Sequence, residues 1–264
     1  MGVRPVLFLA LALTLGLQAS VVRGGCRQAL ALALDISGSV DTSEYRLQMQ
    51  GVANALRHPD VVAALMALPS APVELAVFEW SGGDHQNLLI PWTTITSTAD
   101  LDRIAGRLFA ARRGIAPPVT ALGKAMSFGV DLLDQRRHCW KRTLDISGDG
   151  RNNSGPQPRD LRPVLEPRGV TVNALVIGSD APHGNDLRQV EIGELSSYFR
   201  AEVILGPDAF VETALGFEDY EEAMVRKLRR ELEGLAVSDL SPLPPSRYNG
   251  SGRSSTVRPA SAHP

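Results

Sequence analysis

The chain has 264 residues, of which 44% are hydrophobic and 21% are charged, and its formal net charge is −2. This is the composition of an ordinary globular protein with one domain or two small ones, and it excludes a fibrous or mostly disordered chain. The nearly balanced charge argues against nucleic acid as a partner, because such binding needs a strongly basic surface.

The first 24 residues show the three-part pattern of a secretory signal peptide. Arg4 precedes the mainly apolar run VLFLALALTLGL, and the small residues of QASVVRGG follow it. The run is too short to span a bilayer comfortably. We therefore expect residues 1–24 to be a signal peptide, cleaved between Ala19 and Gly25. The processed chain would be periplasmic or secreted and would have no stable membrane span; an uncleaved anchor is the alternative.

Strand and helix patterns alternate along the rest of the chain. We expect strands at residues 27–35, 73–81, 87–95, 141–147, 170–178 and 201–206. We expect helices at residues 42–57, 60–68, 98–110, 119–135, 158–169, 185–199 and 217–233. This alternation predicts an α/β fold with a doubly wound, mostly parallel sheet and helices on both faces. Pro91 indicates that the strand at residues 87–95 lies at an edge of the sheet.

The alternating pattern stops near the C-terminus. The stretch LSPLPPSRYNGSGRSSTVRPASAHP is rich in Pro, Ser, Gly and Arg and has no apolar periodicity. We therefore expect one folded domain at residues 25–235 and a disordered tail at residues 236–264.

The first predicted strand ends with an unusual group of polar residues. In ALALDISGSV, Asp35 ends the apolar run, and Ser37 and Ser39 lie in the following loop. In an open α/β sheet the carboxyl ends of the strands form a crevice at one edge. Thr120 and Asp149 lie in loops expected at the same edge. Five oxygen-bearing side chains should therefore converge there, and we expect Asn152 and Asn153 to hold one of the loops through side-chain-to-backbone bonds.

Hydroxyls and carboxylates without His or Cys are typical ligands of a hard divalent cation such as Mg²⁺ or Mn²⁺. Two nearby carboxylates also repel each other unless positive charge lies between them. Simpler roles are open as well. Ser37 and Ser39 could form a turn, Thr120 could be the N-cap of a helix, and Asp149 could belong to a turn with Gly150.

The string DISGS has the form DxSxS, and a later Thr and a later Asp-Gly pair follow it. In this it resembles the metal-ion-dependent adhesion site (MIDAS) of von Willebrand factor type A (VWA) domains. The resemblance covers about residues 26–235 and implies the doubly wound fold. It also implies a MIDAS-like site that binds Mg²⁺ or Mn²⁺ and a protein partner that offers an acidic side chain to the metal. The implied metal ligands are Asp35, Ser37, Ser39, Thr120 and Asp149.

Longer strings, among them VFEWSG, DISGDGRNN, GPDAF and AMVRKLRREL, resemble a bacterial family of secreted VWA-like proteins of unknown function. One position departs from the VWA pattern. VWA domains usually have Thr directly before the second Asp, whereas Gly148 stands there in this chain. Asp145 therefore competes with Asp149 for the ligand position, although its mid-strand place also suits a buried, hydrogen-bonded carboxylate.

The only two cysteines of the sequence, Cys26 and Cys139, are expected to form one disulfide, because an even count in an oxidising compartment favours pairing. Two buried free thiols are the alternative. In the strand order 3-2-1-4 the strands that follow these cysteines are neighbours. Both cysteines would then lie at the amino edge of the sheet, opposite the metal.

Two functions fit these observations. The first is an exported, non-enzymatic, metal-dependent protein-binding module of the adhesion type, or a scaffold of that kind that has lost its metal. The second is a metal-assisted hydrolase acting on phosphoesters, since a cation with open positions can activate water. The sequence has no general base beside the five residues, no DxDxT or GxSxG string and no Gly-rich phosphate loop, which favours the first function.

Overall fold

The computed structural model describes residues 25–178 and 185–233, so the predicted signal peptide and the predicted tail lie outside the described residues. Within these ranges six strands form one sheet: β1 Cys26–Asp35, β2 Val73–Trp80, β3 Gln86–Ile95, β4 Cys139–Gly148, β5 Thr171–Ile177 and β6 Val211–Ala214. The helices are α1 Thr42–Arg57, α2 Pro59–Met66, α3 Thr98–Ala110, α4 Leu122–Asp134, α5 Pro158–Leu165, α6 Asn185–Tyr198 and α7 Tyr220–Glu233. None of these helices is long and apolar enough to cross a membrane.

The strand order is β3-β2-β1-β4-β5-β6, and β3 alone among these strands runs antiparallel to its neighbour. The expected doubly wound, mostly parallel sheet is therefore confirmed. Pro91 lies in β3, as expected for an edge strand, because a missing N–H is tolerated where only one side of the strand is paired.

Every residue of the central strand β1 is buried, which explains its continuous apolar run. Leu30, Leu32 and Leu34 point to one helix layer, which is built mainly from α1, α2, α3 and α7. The alternate residues of β1 are alanines, and they face the layer that contains α4 and α5. These small side chains leave room for α4. Gly129 of α4 lies so close to the sheet that an added Cβ would be 2.5 Å from the side chain of Leu144 in β4.

The prediction of a strand at residues 201–206 is wrong. Residues 199–203 form one wide helical turn, and Leu205 makes only an isolated bridge to Val172. The sixth strand is β6, which pairs in parallel with β5. A short apolar run fits either a strand or a helix. Here Phe199 and Val203 stand four residues apart, and the helical turn buries both of them on one side.

The expected disulfide between Cys26 and Cys139 is present. The two cysteines are register partners at the amino ends of β1 and β4, with Cα atoms 4.4 Å apart. They therefore lie at the edge of the sheet opposite Asp35. The bridge joins residues separated by 113 positions, and closing a loop of that length stabilises a fold by about 4–5 kcal/mol in the chain-entropy model.

Candidate metal centre

Asp35 is the last residue of β1 and is fully buried. The backbone N–H of Ser37 donates a 2.8 Å hydrogen bond to its Oδ1 atom. The side chain of Gln48 in α1 donates to the backbone carbonyl of Asp35 at 2.9 Å, which fixes the end of the strand. The second carboxylate oxygen, Oδ2, is buried and has no hydrogen-bond partner among the described residues. A buried acceptor without a donor is costly unless an ion or water meets it.

The other four predicted side chains form a chain of polar contacts beside Asp35. Thr120 Oγ1 donates to Ser37 Oγ at 3.2 Å, and the hydroxyls of Ser37 and Ser39 lie 3.3 Å apart. Ser39 Oγ then donates to Asp149 Oδ1 at 2.7 Å. The structure therefore brings together all five side chains that the sequence predicted to converge, and they come from three separate segments.

Thr120 is positioned by the loop after β4 rather than by a helix cap. Its backbone N–H donates to Asn153 Oδ1 at 2.8 Å, and the N–H of Asn153 donates back to the carbonyl of Thr120 at 3.0 Å. Asn152 Oδ1 accepts a 3.2 Å hydrogen bond from the N–H of Gly123. The expected role of the two asparagines is confirmed. The alternative of Thr120 as an N-cap is wrong, because α4 begins at Leu122 with Ala121 as its cap.

Gly38 allows a second loop to lie directly against the DxSxS loop. The N–H of Gly38 donates to the carbonyl of Pro118 at 3.0 Å, and an added Cβ would lie 2.8 Å from that same oxygen. Arg113 also holds the DxSxS loop in place. Its Nη2 atom donates to the carbonyls of Ile36 at 3.0 Å and Ser37 at 3.2 Å. Arg113 was missed by the sequence reasoning, since a lone Arg in a loop carries no local signal for such contacts.

The two carboxylates are electrostatically unfavourable in the absence of a cation. Burial raises the pKa of Asp35 well above its ordinary value, and the nearby charge of Asp149 raises it further. Burial also raises the pKa of Asp149, although the hydrogen bond from Ser39 opposes this. A bound cation would remove the repulsion and meet Asp35 Oδ2, so the oxygen-only set of side chains fits a hard divalent metal.

Gly148 has no side chain where VWA domains usually have Thr, and the space beside it is small. A Cβ added to Gly148 would lie 3.4 Å from Asp35 Oδ2 and 3.3 Å from Phe199 Cζ. Asp145 lies lower in β4, where it is buried and forms a 2.7 Å ion pair with Lys227 of α7. The expectation of a buried, paired carboxylate is confirmed for Asp145, and the structure does not bring it to the five-residue cluster.

Comparison with known protein families finds a match over most of the chain. The model of the family described as "Protein of unknown function (DUF1194)" matches residues 25–236. A search of the curated proteins finds no significant match.

Comparison with solved structures finds several proteins of similar fold at low sequence identity. Proximal thread matrix protein 1 from the mussel byssus superposes with a TM-score of 0.53 at 14% identity, over 79% of this chain and 48% of that protein. Another structure of it, described as having a zinc-occupied MIDAS motif, gives 0.52 at 17% identity over 80% of this chain and 47% of that one. This chain thus spans about half the length of the mussel protein.

Two bacterial proteins also have a fold similar to that of this chain at low sequence identity. The pilus adhesin SpaC from Lactobacillus rhamnosus GG gives a TM-score of 0.51 at 12% identity, over 80% of this chain and 31% of that one. An aerotolerance-related membrane protein from Bacteroides fragilis NCTC 9343 gives 0.50 at 12% identity, over 78% of this chain and 98% of that one. At these identities the comparisons establish a shared VWA-like fold.

Proposed function

Because the chain belongs to the DUF1194 family of proteins of unknown function and has a VWA-like fold, we propose from its own geometry that it is a metal-dependent protein-binding module of the adhesion type. One observation carries the proposal. Among the described residues the buried Oδ2 atom of Asp35 has no hydrogen-bond partner, and it belongs to a carboxylate that lies beside the carboxylate of Asp149 and three hydroxyl groups. Such a group of oxygens is stabilised when a divalent cation binds it.

The metal ligands in this proposal are Asp35, Ser37, Ser39, Thr120 and Asp149, some of them through water. Mg²⁺ or Mn²⁺ is the expected cation, since all the donors are hard oxygen atoms. The zinc in the mussel protein supports a divalent cation in a motif of this type. Hydroxyls donate no negative charge, so the bound cation would stay electrophilic and would keep an exchangeable water.

The partner in this proposal is a protein that offers an acidic side chain to the cation. Asp35 and Ser37 are buried, whereas Ser39 is exposed, so the cluster is open to solvent on the side of Ser39. A carboxylate of the partner could therefore replace a metal-bound water from that side. We propose a periplasmic or secreted location, which the disulfide supports because such bonds persist in oxidising compartments.

Titration calorimetry of the purified chain with Mg²⁺ and with Mn²⁺ tests the metal site. We expect wild type to take up about one cation. Asp149→Asn should bind the cation more than about tenfold more weakly, because even the loss of a residue that only hydrogen-bonds to a metal ligand weakens metal binding by about that factor. Asp84→Asn is the matched control, because Asp84 is an exposed aspartate in the loop between β2 and β3. The proposal fails if wild type takes up neither metal at millimolar concentration.

Capture of a partner from periplasmic extract, with Mg²⁺ and again with a chelator, tests the binding function. We expect a partner that wild type retains only with metal and that Asp149→Asn does not retain. If wild type instead hydrolyses a generic phosphoester and Asp149→Asn does not, the hydrolase alternative replaces the binding module.

A further inference from the structure

A second group of potential metal ligands lies at the amino edge of the sheet, opposite the proposed cation site. One atom each from Cys26, Cys139, His138 and Glu74 lies within 4.8 Å of the others. His138 Nε2 is 3.0 Å from Glu74 Oε1 and 3.8 Å from Cys139 Sγ. Two sulfurs, an imidazole and a carboxylate are a ligand set that zinc accepts, whereas Mg²⁺ disfavours it.

Two of the separations between these ligand atoms are close to those of a tetrahedral zinc site. Zinc–ligand bonds of about 2.0 to 2.3 Å place neighbouring ligand atoms about 3.3 to 3.8 Å apart. The distances from His138 to Glu74 and to Cys139 lie near this range. The two sulfurs are the exception, because the disulfide holds them too close together for both to bind one metal. A disulfide sulfur is also not the thiolate that zinc needs.

The fold already holds these four residues in place. Cys26 and Cys139 are register partners on β1 and β4, and Glu74 lies on the neighbouring strand β2. Arg136 Nε contacts Glu74 Oε2 at 2.6 Å, which leaves Oε1 directed towards His138. A contact of this kind, from a residue that does not itself bind the metal, orients the carboxylate of a metal ligand. The cysteines are buried, but 57% of the His138 side chain is exposed, so a metal ion has a path from solvent.

We propose that reduction of the Cys26–Cys139 disulfide creates a zinc site formed by Cys26, Cys139, His138 and Glu74. With a trialkylphosphine as reductant, the phosphine supplies two electrons and the S–S bond breaks. Water supplies the two thiol protons and the oxygen of the phosphine oxide. Zinc then displaces both thiol protons as it binds the two thiolates. Either the disulfide or the zinc ion joins β1 to β4, so zinc stabilises a reduced chain that has lost its covalent link.

Spectroscopy with Co²⁺ as a zinc substitute distinguishes this site from the all-oxygen cluster. The experiment uses the chain with Asp149→Asn, so that the proposed Mg²⁺ site does not compete. We expect the reduced chain to bind about one Co²⁺ with thiolate-to-metal charge-transfer absorption and tetrahedral d–d bands. Zinc should displace the Co²⁺, and the oxidised chain should show no such absorption. Bound zinc should also raise the melting temperature of the reduced chain.

Single variants test whether His138 and Glu74 belong to the site. In the reduced chain, His138→Ala and Glu74→Gln should each weaken zinc binding by more than about tenfold, since ligands contribute more than outer-shell residues. Glu166→Gln, which changes a carboxylate with 56% of its side chain exposed, should have no effect. The proposal is overturned if the reduced chain binds no more zinc than the oxidised chain, if it stays unfolded with zinc, or if His138→Ala and Glu74→Gln bind zinc as wild type does.

Discussion

Ser39 Oγ donates a 2.7 Å hydrogen bond to Asp149 Oδ1, although 110 positions separate the two residues in the chain. The contact joins the loop after β1 to the loop after β4 at the carboxyl edge of the sheet. It partly compensates the charge of Asp149, whereas Asp35 Oδ2 has no hydrogen-bond partner within the part of the chain that the structure describes. The hydrogen bond therefore joins two of the segments that form the cluster, and a cation would relieve the repulsion between the carboxylates of Asp35 and Asp149.

Asp35→Asn should stabilise the metal-free chain and prevent Mg²⁺ binding. The substitution keeps the Oδ1 acceptor for the N–H of Ser37 and removes a buried negative charge beside Asp149. We expect the free energy of unfolding at neutral pH to rise, because burial and the charge of Asp149 both disfavour the ionised carboxylate of Asp35. Urea unfolding with a chelator measures the change. Lower stability of Asp35→Asn would show that the two charges do not oppose folding.

Arg113→Ala should weaken Mg²⁺ binding, although Arg113 is not among the proposed ligands. The change removes the guanidinium that donates to the carbonyls of Ile36 and Ser37. We expect a loss of about 1–3 kcal/mol of stability and several-fold weaker Mg²⁺ binding by calorimetry, because two buried carbonyls lose a charged donor. Arg112→Ala is the control, as Arg112 is exposed in the same loop. Tighter Mg²⁺ binding by Arg113→Ala would mean that its charge, rather than its hydrogen bonds, dominates.

Lys227→Met should be strongly destabilising. Lys227 is fully buried and lies 2.7 Å from Asp145 and 2.8 Å from Glu231. Burial lowers the pKa of Lys227, but the two carboxylates outweigh this and raise it. Burial raises the pKa of Asp145 to about 7, opposed by Lys227 and assisted by Glu231. Removing the cation leaves two buried carboxylates together, which should cost about 3–5 kcal/mol.

A triple variant serves as the control for this network. Lys227→Met combined with Asp145→Asn and Glu231→Gln removes all three charges, and we expect it to recover most of the lost stability. Thermal and urea unfolding measure both variants. If the triple variant is as unstable as Lys227→Met alone, the packing of the lysine stem matters more than its charge.

Asp134→Asn should reduce the acid sensitivity of the fold. Burial alone would raise the pKa of Asp134, but hydrogen bonds from Arg168, Arg137 and Arg142 lower it from 3.8 to about 2. The unfolded chain therefore binds this proton more readily than the folded chain does. The stability contributed by Asp134 is present above about pH 4 and is lost as pH falls towards 2.

At pH 7 we expect Asp134→Asn to lower the free energy of unfolding by about 1–2 kcal/mol, since 17% of the side chain is exposed and solvent screens the pairs in part. Urea unfolding between pH 2 and pH 7 measures the effect. The surface variant Asp102→Asn, which removes an exposed ion pair with Arg57, should change stability by no more than about 0.5 kcal/mol. Equal acid sensitivity in wild type and Asp134→Asn would contradict the prediction.

The amino-acid sequence by itself determined the order of the elements, the mostly parallel sheet and the five side chains at its carboxyl edge. These features depend on local patterns: apolar strands alternate with amphipathic helices, and Asp35, Ser37 and Ser39 lie within five residues of one another. Thr120 and Asp149 could be added because the loops that follow parallel strands meet at one edge. The alternation also placed the two cysteines on neighbouring strands.

Only the tertiary structure decided the sixth strand, the contacts of Arg113 and the burial of Lys227 between two carboxylates. It also decided that Asp35 Oδ2 has no hydrogen-bond partner among the residues described. It also placed His138 and Glu74 beside the disulfide. Each of these features depends on atoms brought together from distant parts of the chain. Local periodicity fixes which face of an element is buried, but the identity of the group that a buried charge or carbonyl meets is fixed only when the elements pack.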